Sequence, residues 1–281
     1  MCNHGKVLIC ALLALFLAGC FGPRYELREV ATSEQQWTGV AGHRVKHMAM
    51  RRFVNFPRWS DEVPISVAEL KDNGVLVPYP NEGWNSWTWA KSPENHFVCV
   101  QSVYLGPAGP LWVLDPANPQ FKGVVEGGPK LVKISPSVDE VERVYLFHPD
   151  VAPENSYLND VRVDPDAGFA YMTDSGMGAL VVLNLETGES RRVLADHAST
   201  RSEGVTIEIN GKVWRRPDGS LPDVHADGIA LDLETDWLYY QALTGRTLYR
   251  INTKWLNDPE IEDWQLAEKV QKVAEPGPAD G

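Results

Sequence analysis

Residues 159–184, NDVRVDPDAGFAYMTDSGMGALVVLN, align without a gap over residues 227–252, DGIALDLETDWLYYQALTGRTLYRIN, at a constant offset of 68 (227 − 159). Asp164 falls on Asp232, Tyr171 on Tyr239, Leu180 on Leu248 and Asn184 on Asn252, while Val161/Ile229, Phe169/Trp237 and Leu183/Ile251 stay apolar. Each copy reads as three short strands, placed in the first copy at 161–164, 169–173 and 180–183. Turn residues separate them: Asp164-Pro165-Asp166-Ala167-Gly168 inside the unit and Glu186-Thr187-Gly188-Glu189 at its close. Several short strands repeated at tens of residues are the mark of β-propeller blades.

Two more units lie upstream. Residues 97–134 hold strands at 97–103, at Leu111-Trp112-Val113-Leu114-Asp115 and at 131–134, which puts Asp115 where Asp174 stands in the next unit. An earlier blade covers about 52–77. Between the third and fourth units, Asn210-Gly211 joins two alternating runs, a strong hairpin signal. Past the fourth, Pro259 follows Asp258, and Leu266, Val270 and Val273 recur at i, i+4 and i+7, which predicts a short amphipathic helix outside the blade. Ala279-Asp280-Gly281 repeats Ala226-Asp227-Gly228, so the sequence stops as a further blade opens. The expectation is an all-β chain whose propeller spans 37–281 and is incomplete, with about four blades and the start of a fifth. Its open strand edges would promote association.

Composition agrees. Lys+Arg total 26 against 38 Asp+Glu, a formal charge of −12, and a chain this acidic repels phosphate backbones, so nucleic acid is excluded as a partner. Apolar residues make up 43% with 10 Trp, enough for a sizeable core. Gly 23 and Pro 20 supply turns for many short strands.

The N-terminus reads as an address. One lysine precedes an unbroken apolar run over 7–18, and Leu17-Ala18-Gly19-Cys20 follows. A membrane-spanning helix needs about 20 apolar residues, so this run is too short to span. Residues 1–20 form a signal peptide resembling the bacterial lipobox, with Cys20 lipidated, followed by a linker over 21–36. The expected location is the bacterial cell envelope, held to the membrane through the lipid on Cys20, in the outer membrane of a diderm host because Phe21 rather than Asp follows the cysteine. An ordinary cleaved signal would instead give a secreted protein. Cys2 and Cys10 leave with the signal, so only Cys99 stays in the fold and no intramolecular disulfide forms there. Phe97-Val98-Cys99-Val100 reads as a buried strand carrying an inert thiol.

The strings Phe53-Val54-Asn55-Phe56-Pro57-Arg58-Trp59, Leu111-Trp112-Val113-Leu114-Asp115, Ser156-Tyr157-Leu158-Asn159-Asp160 and His225-Ala226-Asp227-Gly228-Ile229-Ala230 resemble the yellow / major royal jelly protein family. The resemblance implies a secreted propeller of the six-bladed type, with members that bind small amines and others linked to dopachrome conversion. Together with the lipobox reading of Cys20, it points to a lipoprotein that binds a small-molecule ligand without turning it over.

A weaker similarity is to the senescence marker protein / gluconolactonase propellers, and it implies the alternative of a metal-dependent lactonase. Under that resemblance Asn159, Asp227 and Asp280 head innermost strands and face the channel, where their oxygens suit Ca²⁺ or another divalent cation. No Glu in residues 39–56 matches the first-blade ligand which that family uses. Asn and Asp at strand starts also cap turns, and both readings stand for Asn159 and Asp227. Asp164 and Asp232 read as turn caps, and His197 and His225 as structural. Trp84, Trp87 and Trp89 read as blade packing or as the lining of a ligand pocket. Asp174-Ser175-Gly176-Met177-Gly178 lacks the spacing of a serine-hydrolase elbow.

Overall fold

The computed structural model describes residues 29–43, 50–107 and 109–279. Two compact units divide the chain at 32/33, and of the first only residues 29–32 are described, as exposed coil. The second unit carries four antiparallel four-stranded sheets, each with its strands in sequence order. Blade one is β1 (Gly39–His43), β2 (Arg51–Asn55), β3 (Val67–Leu70) and β4 (Leu76–Pro78). Blade two is β5 (Ser102–Leu105), β6 (Leu111–Asp115), β7 (Lys130–Ser135) and β8 (Glu140–Leu146). Blade three is β9 (Leu158–Asp164), β10 (Phe169–Asp174), β11 (Ala179–Asn184) and β12 (Ser190–Val193). A two-stranded hairpin, β13 (Glu208–Ile209) and β14 (Lys212–Val213), precedes blade four: β15 (Ala226–Asp232), β16 (Trp237–Ala242), β17 (Leu248–Asn252) and β18 (Gln271–Ala274).

First strands pack on first strands from blade to blade, β1 on β5, β5 on β9 and β9 on β15, so they are the innermost of each sheet. Sheets stacked this way bury both faces, and their strands therefore read as continuous apolar runs rather than as an alternation. Period two sorts those runs. In β10 and β11, Ala170, Met172, Val181 and Leu183 join the core shared with blade two, while Tyr171, Leu180 and Val182 join the core shared with blade four. Blades one and two share a third core through Phe53, Val67, Val113 and Ile134. The arrangement is a β-propeller.

The 68-residue offset holds strand for strand through β9/β15, β10/β16 and β11/β17. Turn chemistry is as read: Asp164 Oδ1 accepts from the N–H groups of Asp166 and Ala167, and Asp232 Oδ1 from those of Glu234 and Thr235. Asn210 and Gly211, at φ 53° and 75°, make the left-handed hairpin turn that Asn-Gly favours.

Three expectations need correction. Blades two to four each have a fourth, outer strand that three-strand counting missed, because these strands bury little, one residue each in β8 and β12 and none in β18, and blade one also takes in β1, upstream of the expected 52–77. Residues 97–101 are not a strand, and β5 begins only at Ser102, because the N–H groups of Val98 and Cys99 bond the Asp115 carboxylate instead of a neighbouring strand. The amphipathic helix covers only Asp263–Ala267 (α2), after a single turn at Thr253–Leu256 (α1). Leu266 is buried as read, but Val273 sits exposed in β18, the outer strand of blade four.

Candidate functional site

One polar device recurs where the second strand of a blade ends. Asp174 Oδ1 accepts from the backbone N–H of Tyr157, 17 residues earlier, and from Gly176 and Met177, while Oδ2 takes Arg192 Nη1 at 2.5 Å. Asp115 repeats this with Val98, also 17 residues earlier, and with Cys99, Ala117 and the Lys130 ammonium at 3.0 Å. Lys130 and Asp115 are both fully buried, and the remaining lysine protons go to the carbonyls of Pro93 and Gly128. Burial pushes the Lys130 ammonium below its usual range, and the Asp115 charge opposes that. In blade one Asn55 occupies the place and donates to Thr38 Oγ1, again 17 residues earlier, and to the Val100 carbonyl. In blade four it falls on the apolar Ala242, and Thr244 takes over by accepting from the Val224 N–H and donating to the Val224 carbonyl. These clasps fix the loops that lead into each innermost strand, and so define one loop-bearing face.

On that face a chain of hydrogen bonds crosses three blades. Trp59 Nε1 donates to the Tyr157 hydroxyl at 2.7 Å, which donates to Gln101 Oε1 at 2.8 Å, and Gln101 Nε2 donates to Asn159 Oδ1 at 3.0 Å. Burial holds the Tyr157 hydroxyl well above its usual pKa, so it stays a neutral donor. Phe121 stacks obliquely on Tyr157 with ring centres 4.8 Å apart, and on Trp59 at 5.9 Å. Gln120 and Phe121 both have left-handed backbones, at φ 57° and 56°, a conformation non-glycine residues adopt at a cost and one that concentrates at functional sites. Cys99 lies beside this network, fully buried, its thiol pushed up to about 12 by desolvation and therefore unreactive.

A substitution tests how tightly this face is seated. A Cβ on Gly176 would come within 2.4 Å of the Asn155 carbonyl and 2.7 Å of the Tyr157 N–H, backbone atoms that cannot swing aside. Gly176→Ala is expected to cost about 1–3 kcal/mol in urea unfolding, whereas Gly204→Ala, at φ 68° with nothing near its Cβ, should cost about 1 kcal/mol through backbone strain alone.

The structure places Asn159 and Asp227 at matching points of adjacent innermost strands, and both lie in β-bulges. Asn159 and Asp160 together face Thr173, and Asp227 is the extra residue between Ala226 and Gly228. Bulges re-aim side chains and gather next to functional sites. Thr173 Oγ1 ties the two blades by donating to the Asp227 carbonyl at 2.7 Å. Asp160 closes on the Ser102 hydroxyl and Arg162. Asp280 and Cys20 lie outside the described residues. Among the described residues no three His, Cys, Asp or Glu side chains gather as cation ligands, and Asn159 Oδ1 already accepts from Gln101.

His225 is buried, and its Nδ1 accepts from the Ser202 N–H. Burial, with the charge of Arg201, lowers its pKa and keeps the ring neutral. His197 Nδ1 accepts from the Ser199 N–H in a local turn. Of the three tryptophans, Trp84 packs on Phe97 in the core, whereas Trp87 and Trp89 meet edge to face at 4.9 Å with Trp89 77% exposed. Sequence reasoning passed over Arg58, Trp59, Gln101 and Tyr157 as site residues. Three of them, Arg58, Trp59 and Tyr157, sit inside strings that carried the family resemblance, and that was the signal available.

A propeller with clasped entry loops and a polar and aromatic loop face is a class of scaffold rather than a single protein. The sequence profile of the major royal jelly protein family matches residues 98–278, more than half of the chain, and the chain belongs to that family. Major royal jelly protein 5 of Apis mellifera is 26% identical over 238 residues, covering 78% of this chain and 35% of that protein. Protein yellow of Drosophila melanogaster is 27% identical over 235 residues, covering 76% of this chain and 41% of that protein. The chain thus spans less than half the length of these relatives. An auxiliary nutrient binding protein from Bacteroides ovatus is a distant structural match, at 11% identity and a TM-score of 0.48 over 87% of this chain and 48% of that chain.

Proposed function

We propose that the chain is a cell-envelope lipoprotein whose propeller binds a small-molecule ligand on the loop-bearing face. The observation that carries the binding reading is the hydrogen-bonded chain from Trp59 through Tyr157 and Gln101 to Asn159, set beside the aromatic stack of Trp59, Phe121 and Tyr157. It combines apolar ring faces with a few oriented polar groups, the mixture that small-ligand sites use. Strained backbone at Gln120 and Phe121 marks the same place. In this reading the clasps of Asp115 and Asp174 keep the face pre-formed, so a ligand does not have to order it.

Calorimetry on the full chain in detergent, with aromatic amines, catechols, sugar lactones and aromatic carboxylates, tests the reading. Binding of at least one compound, weakened by Tyr157→Phe, is the expected result. No heat from any of them would contradict it, and lactone turnover that stops with a chelator would replace binding by metal-dependent hydrolysis.

The lipid anchor rests on the Leu17-Ala18-Gly19-Cys20 string. Mass spectrometry of membrane fractions is expected to find an acylated peptide beginning at Cys20, and Cys20→Ser is expected to release the protein from the membrane. An unmodified N-terminus downstream of residue 20 would exclude the anchor.

A further inference from the structure

The loop at 56–64 separates two clefts of opposite character. The larger, about 800 Å³, carries Glu34, Asp61 and Glu62 and has no Lys or Arg in its wall. The smaller, about 380 Å³, is lined by Arg58 and Lys122 against the single carboxylate of Asp61, with Trp87 and Trp89 as its apolar side. On a chain with a formal charge of −12, this cleft has a net positive wall, two cations against one carboxylate.

Arg58 is the centre of that wall. Its Nε donates to the Val98 carbonyl at 3.0 Å and its guanidinium lies 5.4 Å from the Trp87 ring centre, which fixes the side chain. No carboxylate among the described residues lies within ion-pair distance of it, although the group is half-buried and burial lowers its pKa. Asp61 does not fill that place, because its Oδ1 accepts from Gln120 Nε2 at 2.5 Å, and Gln120 Oε1 in turn accepts from Lys122. Gln120 reaches this position through its left-handed backbone, secured by a 2.8 Å bond from its N–H to the Arg58 carbonyl. The indole N–H of Trp87 is buried and has no hydrogen-bond partner in the described protein, and Trp89 stands in solvent beside it. A held guanidinium with no carboxylate in ion-pair contact, beside exposed aromatic surface, is complementary to a flat anion with a ring attached.

We propose that the Arg58–Trp89 cleft binds a small aromatic carboxylate, the carboxylate on the guanidinium of Arg58 and the ring against Trp89. This rests on the reading of the propeller as a small-ligand binder and names the chemical class that one of its clefts selects. The matching aromatic amine finds no complement there, since Arg58 and Lys122 repel it.

The test is calorimetry of the full chain in detergent with indole-3-acetate and with tryptamine, which share a ring and differ in charge. Indole-3-acetate is expected to bind, more weakly as salt rises, and tryptamine is expected not to displace it. Arg58→Gln is expected to weaken indole-3-acetate about tenfold or more, with Arg58→Lys intermediate because a point charge replaces a planar fork. Trp89→Ala, at a position 77% exposed whose ring contact is the edge of Trp87, is expected to weaken it while the protein still folds, and this variant carries the test if Arg58→Gln does not fold. Displacement by tryptamine, or indole-3-acetate binding unchanged in Arg58→Gln and Trp89→Ala, overturns the cleft and leaves the binding propeller standing. Binding of other compounds but not of indole-3-acetate does the same. No binding by any compound overturns both.

Discussion

Replacing Asp115 by alanine is expected to cost about 3–5 kcal/mol, the penalty for stranding a buried charge. Lys130 would keep its ammonium at a fully buried position with two carbonyls and no carboxylate. The N–H groups of Val98, Cys99 and Ala117 would lose their acceptor at the same time. These two contributions separate in a double variant. Asp115→Ala with Lys130→Met removes the stranded charge and is expected to recover part of the loss, leaving about 1–3 kcal/mol in all from N–H groups that water does not reach. Urea unfolding followed by circular dichroism measures both. A single variant as stable as the parent, or a double variant no better than the single, would show that the clasp does not hold blade two.

The second large effect is expected from Asp174→Ala, roughly 3 kcal/mol or more from three released N–H groups and a nearly buried arginine. Its Oδ2 partner Arg192 is 11% exposed and the carboxylate is fully buried. Asp174→Asn keeps an acceptor for Tyr157, Gly176 and Met177 but not the charge facing Arg192, and is expected to fall between alanine and the parent. Because Tyr157 hangs from this carboxylate through its N–H, the alanine variant is also expected to bind ligand more weakly in the fraction that still folds. Equal stability of all three forms would contradict the assignment.

The fold was legible where sequence repeats carry geometry. Asp164 and Asp232, or Asn184 and Asn252, recur because the same turn needs the same side-chain oxygen, and the structure confirms the Asp164 and Asp232 turns in both copies. Asp115 was aligned with Asp174 on register alone, and the structure gives both the same partner 17 residues back. The outer strands were not legible, since a short strand such as β18 with every residue exposed has no apolar signature. Residues 97–100 show the opposite failure: the run is as apolar as a strand, but a carboxylate from β6 captures its amides. The candidate site was half legible. Asn159 and Asp227 stood out as polar residues opening apolar strands, and both sit in bulges. Arg58 did not, because its meaning depends on the absence of an ion pair across three loops, and no local pattern records that.

Hydrogen exchange of the full chain with and without saturating indole-3-acetate tests the central claim, that the loop-bearing face is the binding face. The account predicts added protection in residues 56–66, 84–101 and 116–124, the segments that carry Arg58, Trp89 and Gln120, with the outer strands β4, β8, β12 and β18 unchanged. Protection confined to the outer strands or to the turns at 165–168 and 186–189, with none in those loops, would contradict it.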